Sequence, residues 1–176
     1  RASLSKVDHH DDPSLYAQAN AMNDVAATHE TLETRVSRII GDQVVRSRTL
    51  SGGMIGEVVR MRLERLPDIV VKTGQDDAHM AIEAVMLNHL RESGTIPVPE
   101  VFHAEDDLLI MEWVDGEHLD PRAEADCGRL LANLHGVTNH RHGFGGATLN
   151  GRVLLTSPWT DSWIEFYSEH RLRFSL

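Results

Sequence analysis

Leu50-Ser51-Gly52-Gly53-Met54-Ile55-Gly56-Glu57-Val58-Val59 is the stretch on which the fold turns. Alternating runs flank it, Val44 to Leu50 before and Val58 to Leu63 after, so the spacing predicts two strands joined by a glycine-rich tip. Without side chains at the tip, backbone N–H groups can come close to a polyphosphate. A hairpin of the same composition with no ligand fits these residues as well.

Working outward, apolar residues Leu32, Val36, Ile39 and Ile40 recur at helical spacing between His29 and Ile40, and Gly41 ends the run. On the other side a turn, Arg65-Leu66-Pro67-Asp68, leads to a third strand, Ile69 to Thr73, near whose end stands Lys72. Next, Ala78 to Glu92 reads as a helix with Met80, Glu83, Leu87 and Leu90 on one stripe. Glu83 therefore lies among residues that face the protein. An unpaired buried carboxylate costs about 3–5 kcal/mol, and Lys72 is the partner within reach. The bland alternatives are a lysine that snorkels to water and a glutamate at the edge of an apolar stripe.

Gly94 to Pro99 breaks the helix, and Val101–Ala104 and Leu108–Glu112 follow as strands joined by three acidic residues. Five strands with one helix between the third and fourth is the order of a kinase amino-terminal lobe. Met111-Glu112-Trp113-Val114-Asp115-Gly116 then reads either as an ordinary loop or as a hinge whose backbone meets an adenine. Against the kinase pattern G-x-G-x-x-G-x-V, the opening stretch gives Ser51-x-Gly53-x-x-Gly56-x-Val58, with serine for the first glycine.

The 176 residues are 41% hydrophobic and 25% charged, enough for one domain or two small lobes. A formal net charge of −10 and the absence of a long basic run argue against a general nucleic-acid surface. A single cysteine, Cys127, excludes an internal disulfide, and no apolar span or signal-peptide pattern is present, so a cytoplasmic location without membrane contact is expected. Residues 1–28 read as a polar arm, and the loose cluster Asp8-His9-His10-Asp11-Asp12 is assigned no metal.

Asp120-Pro121 opens a further helix in which Cys127, Leu130, Leu131 and Leu134 should form a buried stripe, up to Gly136. The nearby His135, His140 and His142 lack thiolate or carboxylate partners at ligand spacing, so they read as loop histidines and no metal site is expected. Phe144 to Ser157 reads as irregular. Thr160 should cap a last helix with Trp163, Phe166, Tyr167 and His170 on one side, a face to be buried or bound.

Taken together, the chain resembles the fructosamine-3-kinase (ketosamine-3-kinase) family, relatives of aminoglycoside and choline kinases with a protein-kinase-like fold. The resemblance runs from about Leu32 to Leu172. It rests on Ser51 to Ile55, Val70-Val71-Lys72, the Glu83 helix, Met111-Glu112-Trp113, Gly128 to His135, Phe144-Gly145 and above all Pro158-Trp159-Thr160-Asp161-Ser162-Trp163-Ile164-Glu165-Phe166-Tyr167. It implies an α+β fold: an amino-terminal lobe of a five-stranded antiparallel sheet plus helix (29–112), a hinge (113–119) and the first helices of an incomplete carboxy-terminal lobe (120–176). It also implies transfer of the γ-phosphoryl group of ATP, with Mg2+, to the 3-hydroxyl of a ketosamine, a protein-deglycating reaction.

In such an enzyme Ser51, Gly52, Gly53, Met54 and Gly56 lie at the phosphates, Lys72 is oriented by Glu83, and Met111, Glu112, Trp113 and Val114 receive the adenine. Gly145, Asn150, Trp159 and Trp163 border the sugar. The chain departs from the family at Gly56, where many members are polar, and at Met54, where some carry cysteine. The family's His-Gly-Asp catalytic loop and its magnesium ligands are missing, so no catalytic residue is assigned here and a piece of a longer enzyme is expected. An aminoglycoside- or choline-type kinase, and a catalytically dead nucleotide- or protein-binding module, are the alternatives.

Overall fold

The computed structural model describes residues 30–50, 56–75, 78–116 and 120–173. Helix α1 (Leu32–Ile40) starts behind Thr31, whose hydroxyl accepts from the Thr34 amide at 3.2 Å. It stops at Gly41, left-handed at φ 74°. Five strands follow the predicted runs closely: β1 (Val44–Thr49), β2 (Glu57–Leu63), β3 (Ile69–Thr73), β4 (Val101–Ala104) and β5 (Leu108–Glu112). They make one antiparallel sheet in the order β1-β2-β3-β5-β4, with helix α2 (Met80–Ser93) between β3 and β4.

Alternation along the strands sends side chains to two faces, and each face has its own helix. On one, Val59, Met61, Leu63, Val71, Leu108 and Ile110 are buried with Val36 of α1, and Leu32, Ile39 and Ile40 close the cluster. On the other, Leu109 and Met111 pack with Val70 against Met80, Ala84 and Leu87 of α2. Each fully buried side chain of this size contributes about 1.5–3 kcal/mol over its exposed state, so the two clusters account for the lobe's cohesion. Helix α2 covers its face only beside β3, β5 and β4. The β1–β2 end carries arginines instead.

Asp42 ties the two ends of this lobe's loops together. Its carboxylate, almost wholly buried, accepts from the backbone amides of Gln43, Arg65 and Leu66 at 2.9–3.0 Å and from Arg65 Nε at 2.9 Å. Burial alone would raise its pKa, but these donors outweigh it and hold the carboxyl at about 2, below its ordinary 3.8.

The second half departs from three expectations. Helix α3 (Pro121–His135) forms as predicted behind Asp120, whose carboxylate accepts from the Ala123 amide at 2.7 Å. None of its residues is buried, however: Cys127 is exposed and Leu131 is 42% exposed. Periodicity marks which face is apolar; it does not provide the element that covers that face. The stretch expected to be irregular is a hairpin, β6 (Gly146–Asn150) and β7 (Val153–Ser157), with Asn150 opposite Val153 and Gly151 at φ 63° in the two-residue turn. Glycine at the first turn position between two alternating runs is the local signal for it.

Finally, Thr160 is not a cap. It bridges to His142 through backbone bonds of 2.8 Å in both directions, and Ser162 caps helix α4 (Trp163–Tyr167) by accepting from the Glu165 amide at 3.3 Å. The chain then continues as a π-helical turn, Ser168–Leu172. Phe166 is buried, whereas Trp163 and Tyr167, stacked at 5.3 Å, are about half exposed. Among the described residues, no helix is long and apolar enough to cross a membrane.

Candidate functional site

Lys72 stands opposite Val58 in the β2–β3 ladder and shares a sheet face with Val70, the face on which α2 packs. Glu83 lies in the first turn of α2. The Lys72 ammonium donates to both carboxylate oxygens of Glu83, at 2.6 and 2.5 Å. Their side chains keep 19% and 32% of their exposure, so the pair is half-sheltered yet open to a ligand. An ammonium has three N–H donors, and two are used here. Among the described residues the third has no partner.

The helix is set for this contact by a relay through the β4–β5 turn. The Gly74 amide donates to the Asp107 carbonyl at 3.0 Å and the Met80 amide to the Asp106 carbonyl at 3.1 Å, so the turn fixes both ends of the link between β3 and α2. His79 within that link is left-handed at φ 52°. The turn in turn is gripped by Arg35 of α1, which donates to both oxygens of Asp107 at 2.6 and 2.9 Å and pairs with Glu105. His103 Nε2 lies 2.7 Å from Glu105 as well. The Arg35 hydrogen bonds hold the Asp107 carboxyl below its usual range, and those of His103 and then Arg35 do the same for Glu105.

Of the residues expected at the phosphates, Ser51, Gly52, Gly53 and Met54 lie outside the described residues. Gly56 is described, with φ at 72°, and a Cβ there would sit 2.0 Å from the Thr73 carbonyl oxygen. Backbone approach between β2 and β3 therefore requires glycine at this position whether or not a ligand lies above it. Beside it opens a cavity of about 380 Å³ lined by Gly56, Glu57, Thr73, Gly74, Gln75, Ala78 and Arg152. Arg152 comes from the turn of the β6–β7 hairpin, a segment whose sequence reads as irregular and so gives no sign of this residue's position. The turn brings a positive charge to the base of the glycine loop.

Beyond β5, Val70, Met111, Trp113 and Val114 line a cleft of about 530 Å³ together with Pro97, Val98 and Pro99. Met111 is buried and Val114 is 59% exposed, so the cleft has an apolar floor and an open rim. Trp113 is already engaged: the Arg60 guanidinium lies 4.1 Å from its ring centroid and its indole N–H donates to Asp115 at 2.6 Å. Glu112 is tied to Glu100, its amide donating to the Glu100 carbonyl at 2.8 Å and its carboxylate accepting from the Glu100 amide at 3.1 Å.

The four candidates for the sugar do not converge to one point. Gly145 lies against Trp159, where a Cβ would meet the indole nitrogen at 2.3 Å. Asn150 is at the far end of β6, five residues from Gly145 or about 17 Å along the strand. Trp163 stands with His142, edge to face at 5.8 Å.

The family model described as fructosamine kinase matches residues 28–176. The chain belongs to the fructosamine kinase family. It is 28% identical to a Synechocystis protein named a probable ketoamine kinase, over 85% of this chain and 54% of the relative. It is 34% identical to the chloroplastic protein-ribulosamine 3-kinase of Arabidopsis thaliana, over 53% of this chain and 31% of that protein. A crystal structure from Thermobifida fusca, provisionally named a fructosamine-3-kinase, superposes with a TM-score of 0.68 at 28% identity, covering 81% of this chain and 51% of its own. One from Haemophilus somnus, named in the same terms, gives 0.70 at 19% identity over 84% and 53%, which bears on the fold alone. The chain thus spans about half the length of the first of these relatives and of both structures. The α+β, kinase-like sheet-and-helix architecture expected from the sequence is the fold these structures share.

Proposed function

We propose that this member of the fructosamine kinase family forms the nucleotide-binding lobe of an ATP-dependent kinase that phosphorylates the 3-hydroxyl of ketosamines. The observation that carries the reading is the Lys72–Glu83 pair, held at 2.5–2.6 Å on the sheet face beside the glycine hairpin. ATP, when bound, supplies the γ-phosphoryl group. Glu83 holds the Lys72 ammonium in place with two hydrogen bonds and leaves its third N–H for a phosphate oxygen. Arg152 adds a second positive charge at the cavity beside Gly56. Met111, Val70 and Val114 offer apolar contact to the base.

The fit to magnesium is different. Among the described residues no three histidine, cysteine or carboxylate side chains converge, so no residue here is given the ion and no step is drawn through it. Gly145, Trp159, Asn150 and Trp163 are kept as the sugar-side candidates, with Gly145 and Trp159 forming the only mutual contact shown among the four.

The test uses the protein as its own cell makes it, with Mg-ATP and fructoselysine, followed by phosphorus NMR. A sugar 3-phosphate that forms with the parent and is lost in Lys72→Met is the expected result. Transfer to an aminoglycoside or choline but not to fructoselysine would reassign the substrate. Nucleotide binding without transfer to any of them would leave a binding module.

A further inference from the structure

A second site lies on the same sheet face, at the end that α2 leaves uncovered. In the β1–β2 ladder Arg46 stands directly opposite Arg62 and Arg48 opposite Arg60. Directly opposed residues point to one face, so four guanidinium groups share it. Like charges in that arrangement destabilise a sheet, and this chain carries a formal net charge of −10, which makes so local a reversal of sign a feature in need of a ligand. The four arginines, with Ser47 and Asp68, surround a cavity of about 460 Å³. Asp68 is its one carboxylate and is spent on Arg60, at 2.6–2.7 Å. Among the described residues, Arg46, Arg48 and Arg62 have no acidic partner.

Position separates this cavity from the phosphate end. Arg60 and Arg62 are two and four residues beyond Val58, the residue opposite Lys72, or about 7 and 13 Å along the strand. Arg60 is opposite Val70 and stacks on Trp113, so the arginine face begins where the apolar cleft ends.

The backbone specifies the shape of the occupant. Strand β1 is the edge of the sheet. The Leu50 amide donates inward to the Val58 carbonyl at 2.8 Å. By the two-residue alternation of an antiparallel ladder, Arg46 and Arg48 also bond inward, while Ser47 and Thr49 turn their amides and carbonyls to the sheet edge, which no strand pairs among the described residues; Val45 sits at a register shift between Val44 and Arg46. A chain added there places every second side chain on the arginine face, at a repeat of about 7 Å that matches Arg46 and Arg48. A second copy of β1 would bring arginines against arginines. We propose that the β1 edge and the Arg46/Arg48/Arg60/Arg62 face bind an extended acidic polypeptide segment with carboxylates at alternate positions, beside the cleft and independently of the nucleotide.

The test is fluorescence anisotropy of the parent chain with a labelled peptide in which glutamate alternates with threonine. A block peptide of the same composition, inorganic triphosphate and a short RNA serve as comparators. The alternating peptide should bind most tightly, lose affinity with added salt and remain bound at saturating ATP. Arg46→Glu/Arg48→Glu should weaken it about tenfold or more, since like charges then face each other, while Arg129→Glu on α3 should leave it unchanged. The double variant sets carboxylates opposite Arg62 and Arg60, so its urea midpoint should hold or rise, which separates lost binding from lost folding. Equal binding of the two peptides, tighter binding of triphosphate or RNA, displacement by ATP, or unchanged affinity in a folded double variant would each overturn the proposal.

Discussion

Residues 30–116 and residues 120–173 carry similar apolar patterning and put it to different use. In the first, both faces of a five-stranded sheet meet a helix and side chains such as Met61, Met80 and Ile110 are fully buried. In the second, α3 has an apolar stripe with no buried residue, and α4 buries Phe166 while leaving Trp163 and Ile164 exposed. Amphipathic spacing therefore reports which face is available for packing, whereas burial depends on a second surface.

That contrast can be broken most forcefully at its strong end. Ile110→Ala, in the centre of β5 and fully buried, should cost about 2–5 kcal/mol in urea unfolding. A cost under about 1 kcal/mol would mean that the sheet is not the cohesive unit described.

Next in size is the relay from α1. Arg35→Ala should cost about 1–2 kcal/mol, moderated because Arg35, Glu105 and Asp107 keep 25–45% of their exposure. It should also speed hydrogen exchange at the Gly74 and Met80 amides, which the 105–107 turn holds. Unchanged exchange would show that the turn stands without Arg35.

The Asp42 carboxyl gives a comparison across pH. Its folded pKa of about 2 lies below the unfolded 3.8, so its contribution is complete above about pH 4 and is lost as pH falls through about 2. The difference in urea midpoint between the parent and Asp42→Asn should be constant from pH 7 to about 4 and shrink below that. A difference that grows on acidification would contradict the assignment.

The weak end gives the smallest effect. Leu131→Ala on α3, 42% exposed, should change stability by no more than about 0.5 kcal/mol. A core-sized loss would mean that the α3 stripe is covered after all.

The same contrast explains what could be read from sequence. The strands around Val59 and Val71, the stop at Gly41 and the pairing of Lys72 with Glu83 follow from local periodicity plus the cost of an unpaired charge. The grip of Arg35 on Asp107 spans 72 positions and has no local signature, so it stayed invisible. The β6–β7 hairpin is legible in Gly151 between two alternating runs, but the glycine-rich composition of 143–151 masks that signal and Arg152 with it. In the sequence Gly56 reads either as a phosphate glycine or as part of a ligand-free hairpin. The close approach of Thr73 gives it a packing reason as well.

The proposed nucleotide site centres on Lys72 as a phosphate ligand, held by Glu83. Calorimetric titration of the parent and of Lys72→Met with ATP and with adenosine tests this directly. If the ammonium meets only the phosphates, the variant should lose at least about tenfold in affinity for ATP and little or none for adenosine. Equal losses for the two ligands, or undiminished ATP affinity in the variant, would contradict it.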